Sequence, residues 1–367
     1  MKKVLILTAA IGGGHNATSN AIKEFANLYR QDYEVEIVDI LEYIRPVLSK
    51  IAGKSYEINA KNFPDIYGWI YELNNASDGK LTKNNLSLFN SKVREMMEEH
   101  EPQHVICVHP VAIRSVVKTR EKYHLDFSIT VLMTDYDYHE TWLDVEVDRF
   151  IVSSPFMKYK LMADVIPDFK IKSTGIPTAL SVNKKTSASD ARKSLGLKDK
   201  TTVLAMGGSF GAGKLKKLMA GLAQSDENIQ MVFIAGKNKR TQRQLEKYSK
   251  ELEKDIRIEG FTDKVSLYMD AADFLITKPG GLTITEALIK RIPLIISKPI
   301  PGQEEENAIY LQNKGIAVRL NRENEIGIVL KDLMQDKERI QYIKKMQEKY
   351  SKPDAAKDLF LLLDGIK

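Results

Sequence analysis

A short apolar run, Phe274-Leu275-Ile276-Thr277, is closed by Lys278-Pro279-Gly280-Gly281 and followed by Leu282-Thr283-Ile284-Thr285-Glu286-Ala287. The run is too short for a helix interior and reads as a strand buried on both faces. Pro and Gly stop it, and the residues beyond the glycines favour a helix. A strand, a tight turn and a helix in that order demand a parallel sheet with helices on its faces. The same order recurs at Pro293-Leu294-Ile295-Ile296-Ser297, followed by Lys298-Pro299-Ile300-Pro301-Gly302-Gln303-Glu304-Glu305-Glu306-Asn307. It also opens the chain: Val4–Leu7, then Gly12-Gly13-Gly14-His15, then a helix over Asn16–Tyr29.

Read along its length, the chain supplies two sets of strands. The first is Val4–Leu7, Val35–Ile40, His104–Val108, Ser128–Met133 and Arg149–Val152. The second is Thr201–Ala205, Met231–Ala235, Ile256–Ile258, Phe274–Thr277, Leu294–Ser297 and Ala317–Leu320. Helices fit between them, and Lys184–Asp190 reads as a polar spacer. The 367 residues exceed one ordinary core. The expected fold class is therefore α/β, with two Rossmann-like doubly wound domains facing an interdomain cleft. Expected boundaries are residues 1–178, residues 179–352, and a terminal helix within 353–367 that packs back on the first domain.

Hydrophobic content of 43% and charged content of 28% are those of a globular protein. Cys107 is the single cysteine, which excludes an internal disulfide and points to a reducing compartment. No apolar run approaches the ~18–20 residues needed to cross a bilayer. Lys2-Lys3 and the apolar residues after them imitate a short signal peptide, but a buried first strand is the better reading. The net charge of +6 is uneven. Residues 1–178 carry 21 basic against 24 acidic side chains, and the remainder 34 against 25. The basic half suits an anionic ligand or a membrane surface, and no nucleic-acid partner is expected.

Exposed N–H groups where Gly280 and Gly281 open a helix suit a phosphate, and Glu286, one turn further in, suits ribose hydroxyls. Gln303, Glu304 and Asn307 offer amide and carboxylate groups to a sugar. Together these read as a nucleotide-sugar site. Gly14 and its neighbours allow a ligand close to the backbone. His15, at the carboxyl end of the first strand, is a candidate base that a helix N-terminus should keep neutral. Gly12, Gly14, Ala17 and Asp39 also meet the loose dinucleotide pattern, a weak signal alone. Gly207–Lys214 resembles a P-loop, but Leu215 stands where Ser or Thr should hold magnesium. Gly208 and Ser209 are read instead as part of a glycine turn facing the diphosphate or the interdomain cleft. Asp135 is a second candidate for orienting a hydroxyl or base, with His139 and Trp142 lining an acceptor pocket. Alternate spacing of Asp135, Asp137 and His139 is a poor metal signature, so no metal is expected. His109, before Pro110, could also reach the cleft, but a structural role is the better reading. Residues 41–90 are rich in aromatics, including Trp69 and Tyr71, with lysines interspersed, and suit an apolar acceptor or a membrane interface.

Four segments in order, Gly12–His15, Thr134-Asp135 through His139 to Trp142, Lys278–Glu286 and Pro301–Asn307, carry a family resemblance. The chain resembles the diacylglycerol glycosyltransferases of the monogalactosyldiacylglycerol-synthase type, within glycosyltransferase family 28. That resemblance implies a GT-B fold and inverting transfer of glucose or galactose from UDP-glucose or UDP-galactose to diacylglycerol. It implies no cofactor beyond the donor, and a peripheral enzyme on the cytoplasmic face of the membrane. Gly280, Gly281 and Thr283 would approach the diphosphate and Glu286 would hold the ribose. Phe261 and Thr262 would border uracil, and Gln303, Glu304 and Asn307 would hold the sugar. His15 would be the base. The alternatives are a UDP-N-acetylglucosamine-type transferase to a polyprenyl-linked acceptor, an epimerase on the same fold, a membrane-bound nucleotide-sugar sensor without catalysis, and, on the weak glycine pattern, a dehydrogenase.

Overall fold

The structure, a computed structural model, describes residues 1–9, 13–44, 83–207, 215–225 and 227–365. Gly12, Trp69, Tyr71, Gly208 and Ser209 lie outside the described residues, as does most of the aromatic segment 41–90. The chain forms two units. One comprises Met1–Thr134, Tyr138–Ala179 and Asp354–Lys367; the other comprises Asp135–Asp137 and Leu180–Pro353.

The first unit is built on a six-stranded sheet. Its strands are β1 (Lys2–Thr8), β2 (Tyr33–Asp39), β3 (His104–Cys107), β4 (Ser128–Leu132), β5 (Arg149–Ile151) and β6 (Ile171–Lys172). Their spatial order is β2-β1-β3-β4-β5-β6 and every pairing is parallel. Alternate residues of β1 serve opposite faces, as the pleat requires. Leu5 and Leu7 join a core with Val93, Met96, Val116 and Phe150. Val4 and Ile6 join another with Ile22 of helix α1 (Gly14–Tyr29) and with Leu359, Phe360 and Leu363. The last three come from the terminal helix Ala355–Asp364. Asp364 fastens that helix through Arg30 (2.8 Å), Tyr33 (2.9 Å) and Lys2 (3.2 Å). These bonds, Arg30's first, hold its carboxyl down at about 2. Helix α2 (Pro155–Ala163) connects β5 towards β6, with Ser154 as its cap.

The second unit repeats the plan with β7 (Thr202–Met206), β8 (Gln230–Ile234), β9 (Asp255–Glu259), β10 (Phe274–Thr277), β11 (Leu294–Ile296) and β12 (Ala317–Arg319). The order is β12-β11-β10-β7-β8-β9, again all parallel. This is the doubly wound order, with its reversal between β7 and β10. In the first unit the reversal falls between β1 and β3. Ligand sites in such sheets lie at the carboxyl ends of the strands flanking the reversal.

Three expectations change. The two-residue edge strand β6 is too short to show a pattern in the sequence. Part of the supposed spacer is helix: the Ser187 hydroxyl accepts the Asp190 N–H at 3.2 Å and starts Ala188–Leu195. Asp39 accepts the N–H groups of Leu41 (2.9 Å) and Glu42 (3.2 Å), so it caps the turn of helix at Ile40–Tyr43. That satisfies donors the helix start leaves over, and it accounts for Asp39 without a dinucleotide.

Candidate active site

In the first unit, the loops after β1 and β3 bring two histidines together. His15 is the second residue of α1, and its ring lies 4.9 Å from that of His109, edge to face. The His15 Nδ1 is 3.0 Å from the Thr134 hydroxyl, contributed from beyond β4. Burial pushes His15 down to about 4, against a weaker opposing hydrogen bond to the Val108 backbone. The imidazole is thus neutral, with desolvation the leading cause. His109 is buried, and its Nδ1 accepts the Val111 N–H at 3.2 Å. Burial, with His15 adding to it, pushes His109 down to about 3. His109 thus caps the turn after β3 and also stands against His15.

Trp142 is 6% exposed and belongs to the core, with its ring 6.3 Å from that of His15. His139 is exposed, and its Nδ1 accepts the Thr141 N–H at 3.4 Å, capping the turn that delivers Trp142. The indole therefore packs in the core with its ring beside that of His15. The sequence offers no sign of the Thr134–His15 contact, because the partners are 119 residues apart.

In the second unit, β10 ends in the Lys278–Gly281 turn and helix α3 (Gly281–Lys290) begins. Gly280 is the N-cap, with φ −72°, an angle open to any residue. Among the described residues, a Cβ built there meets nothing within 4 Å. Neither backbone strain nor internal packing asks for glycine at this position. What the missing side chain leaves is open ground before a helix N-terminus. Such a terminus presents N–H groups without helical acceptors, those of Leu282 and Thr283 here. The N–H of Gly281 is given to the Asp135 carboxylate.

Asn307, fully buried in helix α4 (Gln303–Asn313), ties this turn together. Its Nδ2 donates to Asp135 Oδ1 (2.8 Å) and the Pro279 carbonyl (2.9 Å). Its Oδ1 accepts the Tyr136 N–H (2.8 Å). The amide is used up, so Asn307 braces the turn instead of facing a sugar. Asp135 is likewise a brace. Burial pushes its carboxyl up to about 6 despite the two hydrogen bonds, with Glu304's charge adding a smaller push.

Gln303 Nε2 donates to the Asp137 carbonyl at 2.6 Å. Glu304 receives the Lys278 ammonium (2.8 Å) through one oxygen and the Ile300 N–H (2.8 Å) through the other. Gly302, at φ +100°, supplies the left-handed turn ahead of α4 that favours glycine. Glu305 takes a two-pronged bond from Arg319, at 2.6 and 2.9 Å.

Glu286 stands apart. It makes no hydrogen bond or ion pair among the described residues, although it is only partly exposed. Lys290, one turn on, is committed to Asp270 at 2.7 Å. Burial pushes the Glu286 carboxyl up to about 7, with Lys290 opposing weakly. An unpaired, desolvated acceptor beside a bare glycine turn is a place for a hydroxyl-bearing ligand. Thr283 lies between the two, partly exposed. Beyond β9, the Phe261 ring is 68% exposed with the Lys237 ammonium 5.3 Å from its centre, and Thr262 caps the turn by accepting the Lys264 N–H at 3.1 Å.

The sequence profile of monogalactosyldiacylglycerol (MGDG) synthase matches residues 15–178, and that of the glycosyltransferase family 28 C-terminal domain matches residues 202–359. A processive diacylglycerol beta-glucosyltransferase of Staphylococcus saprophyticus is 30% identical over 323 residues, 86% of this chain and 80% of the relative. The chain belongs to the diacylglycerol glycosyltransferases of family 28. Enzymes of the same description from Staphylococcus carnosus and Bacillus subtilis are 28% and 27% identical, over 99% and 94% of this chain and 93% and 90% of theirs. Among solved structures, MurG of Acinetobacter baumannii superposes with a TM-score of 0.66 at 16% identity, covering all of both chains. HepE of Anabaena, solved with UDP-glucose, gives 0.60 at 14%, again with full coverage. These likenesses establish the GT-B fold of the family.

Proposed function

We propose that this chain transfers a hexose from a UDP-sugar to diacylglycerol with inversion, and that the hexose is glucose. The observation that carries the reading is the pairing, among the described residues, of open ground at Gly280 with a Glu286 that has no hydrogen-bond or ion-pair partner, between one and two turns further along α3. A diphosphate fits the first and a ribose the second. Relatives named as diacylglycerol beta-glucosyltransferases over 86–99% of the chain favour glucose over galactose and a lipid acceptor.

In this reading His15 is the base. A neutral imidazole keeps one ring nitrogen without a proton, and in this reading that nitrogen takes the proton of the acceptor hydroxyl. The hydroxyl oxygen forms a bond to the anomeric carbon as the bond to UDP breaks. The departing electron pair goes to the phosphate oxygen, where the Leu282 and Thr283 amides and the helix terminus stabilise it. We read the reaction as needing no cofactor besides the donor. Asp135 and Asn307 hold the turn in shape, and Phe261 offers a face to the base. Among the described residues no helix is long and apolar enough to cross a membrane. We place the enzyme on the membrane surface, and the buried free Cys107 suits the reducing, cytoplasmic side.

The test is a donor-by-acceptor assay with UDP-glucose, UDP-galactose and UDP-N-acetylglucosamine against diacylglycerol and a polyprenyl-linked acceptor. The expected product is β-glucosyl-diacylglycerol, formed about tenfold or more faster than the galactosyl lipid, the worth of one well-placed hydroxyl hydrogen bond. Faster galactose transfer overturns the sugar assignment, and turnover confined to the polyprenyl acceptor overturns the lipid assignment.

A further inference from the structure

Helix α2 is apolar on both sides. Met157 and Leu161 are fully buried in the first unit's core. The opposite side carries Phe156, Tyr159 and Met162, at 42%, 67% and 41% exposure. The ridge continues past the helix end with Val165 (82%) and Phe169 (70%). Val145 (58% exposed) is held beside it, its carbonyl accepting the Lys170 ammonium at 2.7 Å. A surface helix normally turns charged or polar residues outward, and one that is apolar all round is normally buried. A contiguous exposed ridge of this kind marks an interaction surface.

The charges around the ridge are ordered. At the α-helical period, Phe156, Tyr159 and Met162 fall within one arc, and Lys158 and Lys160 fall on its two borders. Lys158 pairs with Asp168 at 2.7 Å, and Lys160 lies 5.4 Å from the Tyr138 ring centre and 6.0 Å from that of Phe156. Residues 155–172 hold four lysines against two aspartates, inside a stretch, 1–178, that is acidic as a whole.

Val165 adds an independent observation. Its φ is +71°, in the left-handed region, which a β-branched residue rarely adopts. Gly or Asn would sit there with less strain. The chain instead keeps a strained valine whose side chain is almost wholly in water. The positive φ closes helix α2, with the Val165 N–H on the Met162 carbonyl (3.3 Å) and the Ile166 N–H on the Leu161 carbonyl (3.1 Å), and it leaves an apolar side chain outward where a glycine would serve the turn as well.

We propose that this face is where the protein rests on a lipid bilayer. The ridge from Phe156 to Phe169 enters the boundary between headgroups and acyl chains, and the bordering lysines reach up to anionic headgroups. The inference rests on the lipid-acceptor reading above. A second copy of the chain is a poorer occupant, because a two-fold contact would set the same lysines against one another.

Vesicle flotation of the full chain tests this, with vesicles of phosphatidylcholine alone or mixed with phosphatidylglycerol. The Phe156→Ser/Tyr159→Ser/Phe169→Ser variant is expected to partition at least about tenfold more weakly, with an unchanged melting temperature. Val165→Asn relieves the backbone and removes the apolar tip, so it should melt no lower than the wild type and still float several-fold less. Wild-type binding should weaken on vesicles lacking phosphatidylglycerol. Both variants should keep wild-type turnover on a detergent-dispersed short-chain diacylglycerol. Unchanged flotation of both variants overturns the proposal. So does a wild-type dimer that the triple variant converts to monomer without loss of flotation, which would assign the face to a second copy. Absence of wild-type turnover on the dispersed acceptor would instead refute the functional reading, while flotation still judges the surface by itself.

Discussion

Replacing Glu286 by Gln is expected to stabilise the second unit at pH 8 and to leave it unchanged near pH 4. Burial lifts this carboxyl from an ordinary value of 4.5 to about 7 in the folded chain. Below 4.5, folded and unfolded chains both hold the proton. Above about 7 both have lost it, and the folded chain carries a desolvated charge without a partner. In between, the folded chain binds more protons, so stability declines as pH rises across that window. At 1.36 kcal/mol per pH unit, the full decline is about 3 kcal/mol. Glutamine has nearly the same shape and does not ionise, so it removes the decline. For a unit of this size the gain at pH 8 corresponds to a melting shift of roughly 6–12 °C. Thermal unfolding of both proteins from pH 4 to pH 8 measures it directly. UDP titration should show the opposite sign, a loss of ~10–100-fold from the missing charged acceptor. A variant that is no more stable than the wild type at pH 8, or whose difference is flat with pH, would show that Glu286 is satisfied by the protein. The case for a ligand hydroxyl would then collapse.

His15→Ala should lower turnover ~10²–10⁴-fold while UDP binding stays near normal by calorimetry; normal turnover would make His15 structural. Gly280→Ala should fold with unchanged or slightly raised stability, since its φ is ordinary and the new methyl meets nothing, yet lose UDP affinity as that methyl enters the open ground. Equal UDP affinity in the two proteins would place the phosphate elsewhere. Asn307→Ala strands the Asp135 carboxylate, the Pro279 carbonyl and the Tyr136 amide, and should cost about 2–4 kcal/mol by denaturant unfolding. Full stability with donor affinity alone reduced would restore a sugar-binding role.

The strands were legible in the sequence because a doubly covered sheet needs unbroken apolar runs. Leu294–Ile296 and Val4–Leu7 announce themselves without help from neighbours. The glycine turn before α3 was equally plain. Roles were less so. Glu286, Glu304 and Asn307 look alike as polar residues in suggestive loops, and only their partners tell them apart. Glu304 is held by Lys278 and Ile300, and Asn307 by three backbone and side-chain groups. Glu286 is held by none among the described residues. The support of His15 by Thr134, and its packing against His109, join strands far apart in the chain and leave no local signal. The outward ridge of α2 leaves no distinct signal in the sequence for a different reason. Its apolar residues satisfy a buried-helix reading as well as a surface one, and exposure decides.

The terminal helix belongs to the first unit, and this sets an order in time. Val4 and Ile6 are synthesised long before Leu359, Phe360 and Leu363, which cover part of the same face of their sheet. Asp364, which binds Lys2, Arg30 and Tyr33, also follows them by more than 300 residues. At ~5–20 residues per second, the ribosome takes roughly 10–40 s to travel from residue 179 to residue 364. Throughout that interval the first unit waits with an apolar strip uncovered, while the second unit can close from its own residues. The half made first is therefore the half finished last. A nascent chain stalled before residue 355 should bind chaperones through its amino-terminal half.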